Sequence, residues 1–152
     1  MQHLWVFAFL APVPEATADV LAQRLKALLA GWQAHGTPVS SRVALRYGHF
    51  LFIEATSGTS GCSIDWLHHA LEALFAELGL TVADHSTIFY WNVAGEIESV
   101  PFPALETALA AGRLTAQTVV FDPQAIHQGQ LERWEVPLYN TWMARYLPQE
   151  AR

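Results

Sequence analysis

Two windows of helical periodicity, separated by a pair of alternating strands, constrain this chain more than any other feature. Within residues 16–34, Val20, Leu21, Leu25, Leu28, Leu29 and Trp32 recur at steps of three and four. That spacing draws one apolar stripe along a helix. Gly36 and Pro38 follow as the stop signal. Within residues 63–78 the same spacing returns in Ile64, Leu67, Leu71, Leu74, Phe75 and Leu78. Between the windows, Val43, Leu45 and Tyr47 alternate with Arg42, Ala44 and Arg46, the period of a strand with two different faces. Gly48 marks a turn, and "HFLFIEA" returns as a second strand, which predicts a hairpin. The apolar run at 4–10, ended by Pro12 and Pro14, predicts a first strand, and "STIFYWNV" at 86–93 is a run of strong β-formers.

The order is then β-α-β-β-α-β, that of a ferredoxin-like unit, an antiparallel sheet with two helices on one face. A smaller unit follows. Ala94-Gly95 reads as a turn and "EIESV" as the strand returning from it. "FPALETALAAG" is a short helix with proline in its first turn and Gly112 just past its end. "QTVVFD" is a further strand, and "RWEVPLYNTWMARYLP" reads as a strand remnant and a short helix. The expected class is α+β: a ferredoxin-like βαββαβ unit over 1–86 and a small C-terminal ββαβ unit over 87–152. The strand at 86–93 is placed to serve both.

Composition narrows the partners. Hydrophobic residues make up 52% of the 152 and charged residues 14%, a sparsely charged surface that suits a dimer or partner face. Six tryptophans offer large areas suited to binding. The net charge is −6 and Lys26 is the single lysine, which argues against nucleic acid or an anionic membrane as partner. One cysteine cannot form an internal disulfide, consistent with a reducing cytoplasm. "MQHLWVFAFLAP" has no Lys or Arg before its apolar run and is short for a signal peptide, so a buried first strand is expected. No segment reaches the ~20 apolar residues that span a bilayer.

"TSGTSGCSIDWLHHALEALF", residues 56–75, is the stretch with most chemical potential. Asp65 and His69 are i and i+4, off the apolar stripe, and Trp66 points away from it too. Cys62 joins that face if the helix reaches back far enough. A thiol at a helix N-terminus is favoured as thiolate, His69 would serve as its base or stabiliser, and Asp65 would orient the histidine. A second chemistry is anion binding by backbone N–H groups at the helix start, with Gly58, Ser60, Gly61 and Ser63 as candidates. The simpler reading is structural: Ser63 caps the helix, Asp65 complements the dipole and Cys62 fills a small buried space. Seven histidines show no chelating spacing, and neither a metal nor a cofactor is expected. His35, in "WQAHG", is expected at the C-terminal end of the first helix. Trp66, Trp142 and Tyr146 are the candidate partner surface, the last two at helical i and i+4. Trp134 and Tyr139 are other aromatics of the C-terminal segment, and packing within the protein is the alternative role for the group.

"GWQAHGTP", "SGCSID", "ALAAGRLTAQTVVF" and "RWEVPL" together resemble a small family of uncharacterised bacterial proteins, over most of the chain. Some members carry the label of ABC-transporter ATPase. A phosphate-binding P-loop needs G-x-x-x-x-G-K-[ST], whereas Gly58 and Gly61 are followed by no lysine and Lys26 lies in another helix. The chain is therefore not expected to be a P-loop ATPase. Residues 89–121 resemble the bacterial GYF-like module at Leu105, Leu109, Gly112, Leu114, Thr118, Val120 and Phe121. The resemblance implies a strand-turn-strand start followed by a short helix and a strand. Such modules are associated with protein–protein contact, some through proline-rich peptides. The Gly-Tyr-Phe tripeptide is absent here, so peptide binding is not implied. The expected function is that of a cytoplasmic, non-catalytic binding or interaction protein whose partner is protein, a second copy of the chain included. The alternative is a small enzyme or a thiol-dependent ligand or anion site built on Cys62, Asp65 and His69.

Overall fold

The computed structural model describes residues 3–149, apart from the side chain at 127, and the chain divides into two compact units, 1–83 and 84–152. The first contains β1 (His3–Ala8), α1 (Glu15–Ala30), β2 (Gln33–Ala34), β3 (Thr37–Pro38), β4 (Ser41–Arg46), β5 (Phe50–Ala55) and α2 (Gly61–Glu77). Its main sheet has the order β1-β5-β4, antiparallel throughout. Trp5 and Val43 both lie opposite Ile53, so alternate residues of the three strands share one face. The two helical stripes supply that face with partners. Leu21 and Leu25 of α1 join Leu51, Ile53 and the α2 residues Leu67, Leu71, Leu74 and Phe75 in one buried cluster. Phe7 and Phe9 meet the Phe75 ring edge-on at 5.7 and 5.1 Å. An exposed ion pair, Arg24 Nη2 to Glu77 Oε2 at 2.6 Å, links the two helices.

Two expectations for this unit need correction. First, α1 ends at Ala30 with Gly31 as its C-cap, earlier than the apolar pattern suggests. The chain then makes a small hairpin, β2 against β3. His35 and Gly36 form its turn with φ of 52° and 79°, the paired positive φ that a type I′ turn requires. His35 therefore sits on an exposed turn and not at a helix C-terminus. Trp32 lies beyond the helix and is fully buried, its carbonyl accepting from Val39 N at 2.9 Å. Second, the strand at 86–93 does not complete the first sheet. Thr87–Trp91 pairs with strands of the second unit. On the edge of the β1 segment away from β5 stands an isolated bridge, Phe9 with Val82, supported by Leu10 N to Thr81 O at 3.0 Å and Ala83 N to Ala8 O at 2.7 Å. Asp84 cuts the segment short: its Oδ1 accepts from Ser86 N at 2.8 Å, and its carbonyl accepts from Thr87 N at 3.0 Å. This side-chain turn redirects the chain.

The second unit contains β6 (Thr87–Trp91), β7 (Ile97–Pro101), α3 (Leu105–Ala110), β8 (Val119–Phe121), α4 (Pro123–His127) and β9 (Glu135–Pro137). Its antiparallel sheet has the order β7-β6-β8-β9. A 3-10 turn precedes α3, and two more, Leu138–Asn140 and Trp142–Tyr146, follow β9. Leu105, Leu109, Leu114 and Val120 are buried together with Ile88, Tyr90, Leu138 and Met143. Of the positions carrying the GYF-like resemblance, Leu105, Leu109, Leu114 and Val120 sit in this core, Gly112 has φ 75° in the turn after α3, and Phe121 packs instead against Trp134, ring centroids 4.8 Å apart. Arg113 crosses from that turn to β6 and β7: Nε donates to the Tyr90 hydroxyl at 2.6 Å and Nη2 to Ser99 O at 3.1 Å. The class is α+β. Among the described residues no helix is long and apolar enough to cross a membrane.

Candidate functional site

The start of α2 is built from hydroxyl groups that satisfy one another. Ser60, not Ser63, is the N-cap. Ser60 Oγ accepts from Ser63 N at 3.1 Å, and Ser63 Oγ accepts from Ser60 N at 2.7 Å and donates to Ser60 O at 2.8 Å. This is a capping box with serine in the third helical position, and it moves the helix start back to Gly61. Ser63 is 3% exposed. Its carbonyl accepts from Trp32 Nε1 at 2.8 Å, so the buried indole of "GWQAHGTP" is bonded to the backbone of "SGCSID". One residue of the preceding loop is held as well: Ser57 Oγ accepts from Ser40 N at 2.8 Å. The two motif segments are halves of one structural joint.

The earlier start brings Cys62 into the first turn. Cys62, Asp65, Trp66 and His69 then share one helix face, and all four are exposed. Cys62 is a surface thiol and not a buried filler. Cys62 and His69 are seven residues apart, about 10 Å along the axis, too far for the imidazole to take the thiol proton directly. No hydrogen bond or ion pair among the described residues joins Cys62, Asp65 and His69. Nor are any three His, Cys, Asp or Glu side chains of the described residues placed to hold a metal ion. His68, one step round the helix, packs against Trp5 at 6.2 Å and Phe7 at 5.7 Å.

The candidate partner aromatics fall in both units. Trp66 is 43% exposed on α2. Trp142 and Tyr146 are half-buried on the second unit's own core, their rings 6.3 Å apart and each within 6 Å of Phe102. Trp134 is buried, and Tyr139 is exposed.

The second unit also has a polar cleft of about 260 Å³ between α4 and the turns around β9. In its lining Asp122 Oδ1 accepts from Gln124 N at 3.0 Å, capping α4, and from Trp142 Nε1 at 3.2 Å. Thr141 is committed to the fold, donating to Leu138 O at 2.8 Å and accepting from Met143 N at 3.1 Å. The rest of the wall differs. Gln124, Gln128, Gln130, Arg133 and Asn140 line the cleft, and none of their side chains bonds to another group among the described residues. Compared with family models, curated proteins and solved structures, the chain finds no match.

Motif reading missed this cleft because no local spacing marks it. Its residues come from α4, the loop after it, and the segment beyond β9. Two signals were present: Asp122-Pro123, a capping residue with proline at the first helical position, and the polar run "QAIHQGQ". The first locates α4, which the expected ββαβ order lacks.

Proposed function

We propose that the protein is a non-catalytic, cytoplasmic binding protein, and that the second unit makes the partner contact. One observation carries this reading: the cleft beside α4 holds four amide side chains and a guanidinium that bond to nothing else among the described residues. Amides and guanidinium groups facing an open cleft are prepared to bond a ligand without first breaking bonds within the protein. The resemblance of residues 89–121 to a GYF-like interaction module supports the same unit as the binding part. The partner in this reading is a polypeptide, a second copy of the chain included. A photo-crosslinking residue at Gln128 of the full chain tests it, with Val93, on a fully exposed turn of the same unit, as the control position. Polypeptide adducts at Gln128 that are absent at Val93 are expected. Equal adducts at both, or none at Gln128, would contradict the reading.

A second reading has its own support in the exposure of Cys62 on one face with Asp65, Trp66 and His69: a thiol-dependent ligand or anion site. Partner capture unchanged in Cys62→Ser separates the two. Its loss in Cys62→Ser would transfer the function to the α2 face.

A further inference from the structure

The cleft's unbonded groups also specify a ligand. Arg133 is exposed, lines the cleft and has no ion pair among the described residues, whereas Arg24, Arg42 and Arg113 each meet a carboxylate within 4 Å. A guanidinium presents a fixed fork of donors that matches a carboxylate. Gln124, Gln128, Gln130 and Asn140 each add one amide acceptor and two amide donors. A side-chain amide is the same chemical group as a peptide unit and pairs with it in both directions. The Asp122 carboxylate in the lining sets a further requirement. Its Oδ1 already takes two donors, but a simple anion entering the cleft would still meet its charge. A ligand with both N–H donors and a carboxylate suits a cleft that carries, among the described residues, the Arg133 cation and the Asp122 anion.

We infer that this cleft binds an extended peptide segment bearing a carboxylate, with Arg133 holding the carboxylate and the glutamine and asparagine amides holding the peptide main chain. This deepens the binding reading above and rests on it. The carboxylate comes from an acidic side chain or from a free C-terminus, two sources of one chemistry.

The test is a titration of the full chain followed by the NMR signal of the Trp142 indole N–H, which donates to Asp122 in the lining of the cleft. The probes are acetyl-Gly-Asp-Gly-amide, acetyl-Gly-Gly-Gly with a free carboxyl, and the neutral acetyl-Gly-Asn-Gly-amide. Saturable shifts with one or both acidic peptides are expected, and the arm that binds identifies the source. The neutral peptide should bind about tenfold more weakly or worse, the scale of losing a charge-assisted bond. Arg133→Gln should erase that difference, and Gln128→Ala should weaken all peptides alike. Equal binding of the neutral peptide, binding unchanged in Arg133→Gln, or no saturable shift with any peptide would overturn the inference. So would sodium acetate alone matching the acidic peptides, or a saturable shift with maltotriose and none with peptide, which would make the cleft an anion site or a saccharide site. Adducts at Gln128 without carboxylate preference would defeat this inference and leave the binding reading standing. Loss of the adducts themselves would remove both.

Discussion

The start of α2 and the cleft beside α4 are both crowded with small polar side chains, and they use them in opposite ways. At α2, Ser60 and Ser63 bond each other, Ser57 holds Ser40 N, and the Ser63 carbonyl takes the indole of Trp32. At α4, Asp122 and Thr141 do comparable structural work, but Gln124, Gln128, Gln130, Arg133 and Asn140 stand open. Polar density alone is therefore a poor marker of a site. What separates the regions is whether the polar groups already have partners, because a satisfied group must break a bond before it takes a ligand.

The comparison breaks first at Trp32, if the α2 joint is not structural. Trp32 is fully buried and its Nε1 bonds Ser63 O. Trp32→Ala should cost about 3–5 kcal/mol, through a large cavity and a lost hydrogen bond. Urea unfolding followed by circular dichroism measures it, and a loss below about 1 kcal/mol would refute the joint. Next comes the cap. Ser60→Ala should cost about 1 kcal/mol. Ser63→Ala should cost a similar amount, with the double variant losing less than the sum, because both remove the same reciprocal pair. Additive losses in that cycle would mean the box is not a unit.

The second unit has an alkaline counterpart. Burial of Tyr90 pushes its phenol above the ordinary 10.0, and the hydrogen bond and charge of Arg113 work against that shift. The folded chain therefore keeps this proton to higher pH than the unfolded chain. The resulting stability is complete below pH 10.0 and is lost as pH rises beyond it. Tyr90→Phe should flatten the fall in stability above that pH, and an unchanged alkaline slope would contradict it. The smallest effects belong to the open groups. Arg133→Gln and Gln128→Ala should each alter stability by no more than about 0.5 kcal/mol, since neither side chain bonds to another group among the described residues. Cys62→Ser should be equally mild, and the native chain should react with an alkylating reagent at Cys62 without unfolding. A larger loss in the cleft variants would mean their side chains support the fold.

The helices and strands with one apolar face were legible in the sequence because local periodicity reports burial directly. α2 and the β4–β5 hairpin lie within two residues of the expected bounds. The end of α1 was not legible, because Trp32, beyond the Gly31 cap, continues the helical spacing of Leu28 and Leu29 just before a separate hairpin. The place of Thr87–Trp91 was hidden as well. A run of β-formers shows that a strand exists and not which sheet accepts it, and here the turn at Asp84 decides. Ser60, not the expected Ser63, is the N-cap, and its box is hard to read from sequence because the third helical position normally shows Glu or Gln and here holds serine. The shared face of Cys62, Asp65, Trp66 and His69 was readable from helical geometry, but the absence of bonds among them was not. The cleft was least legible of all, since Asp122, Arg133 and Asn140 meet only through the turns around β9.

The most direct test sets one residue from each region side by side. Ser60→Ala and Arg133→Gln are titrated with the better-binding acidic peptide while the Trp142 indole N–H is followed. Ser60→Ala should bind as the native chain does, despite its lower stability, and Arg133→Gln should bind about tenfold more weakly at native stability. Weakened binding in Ser60→Ala with native affinity in Arg133→Gln would reverse the roles of the two regions.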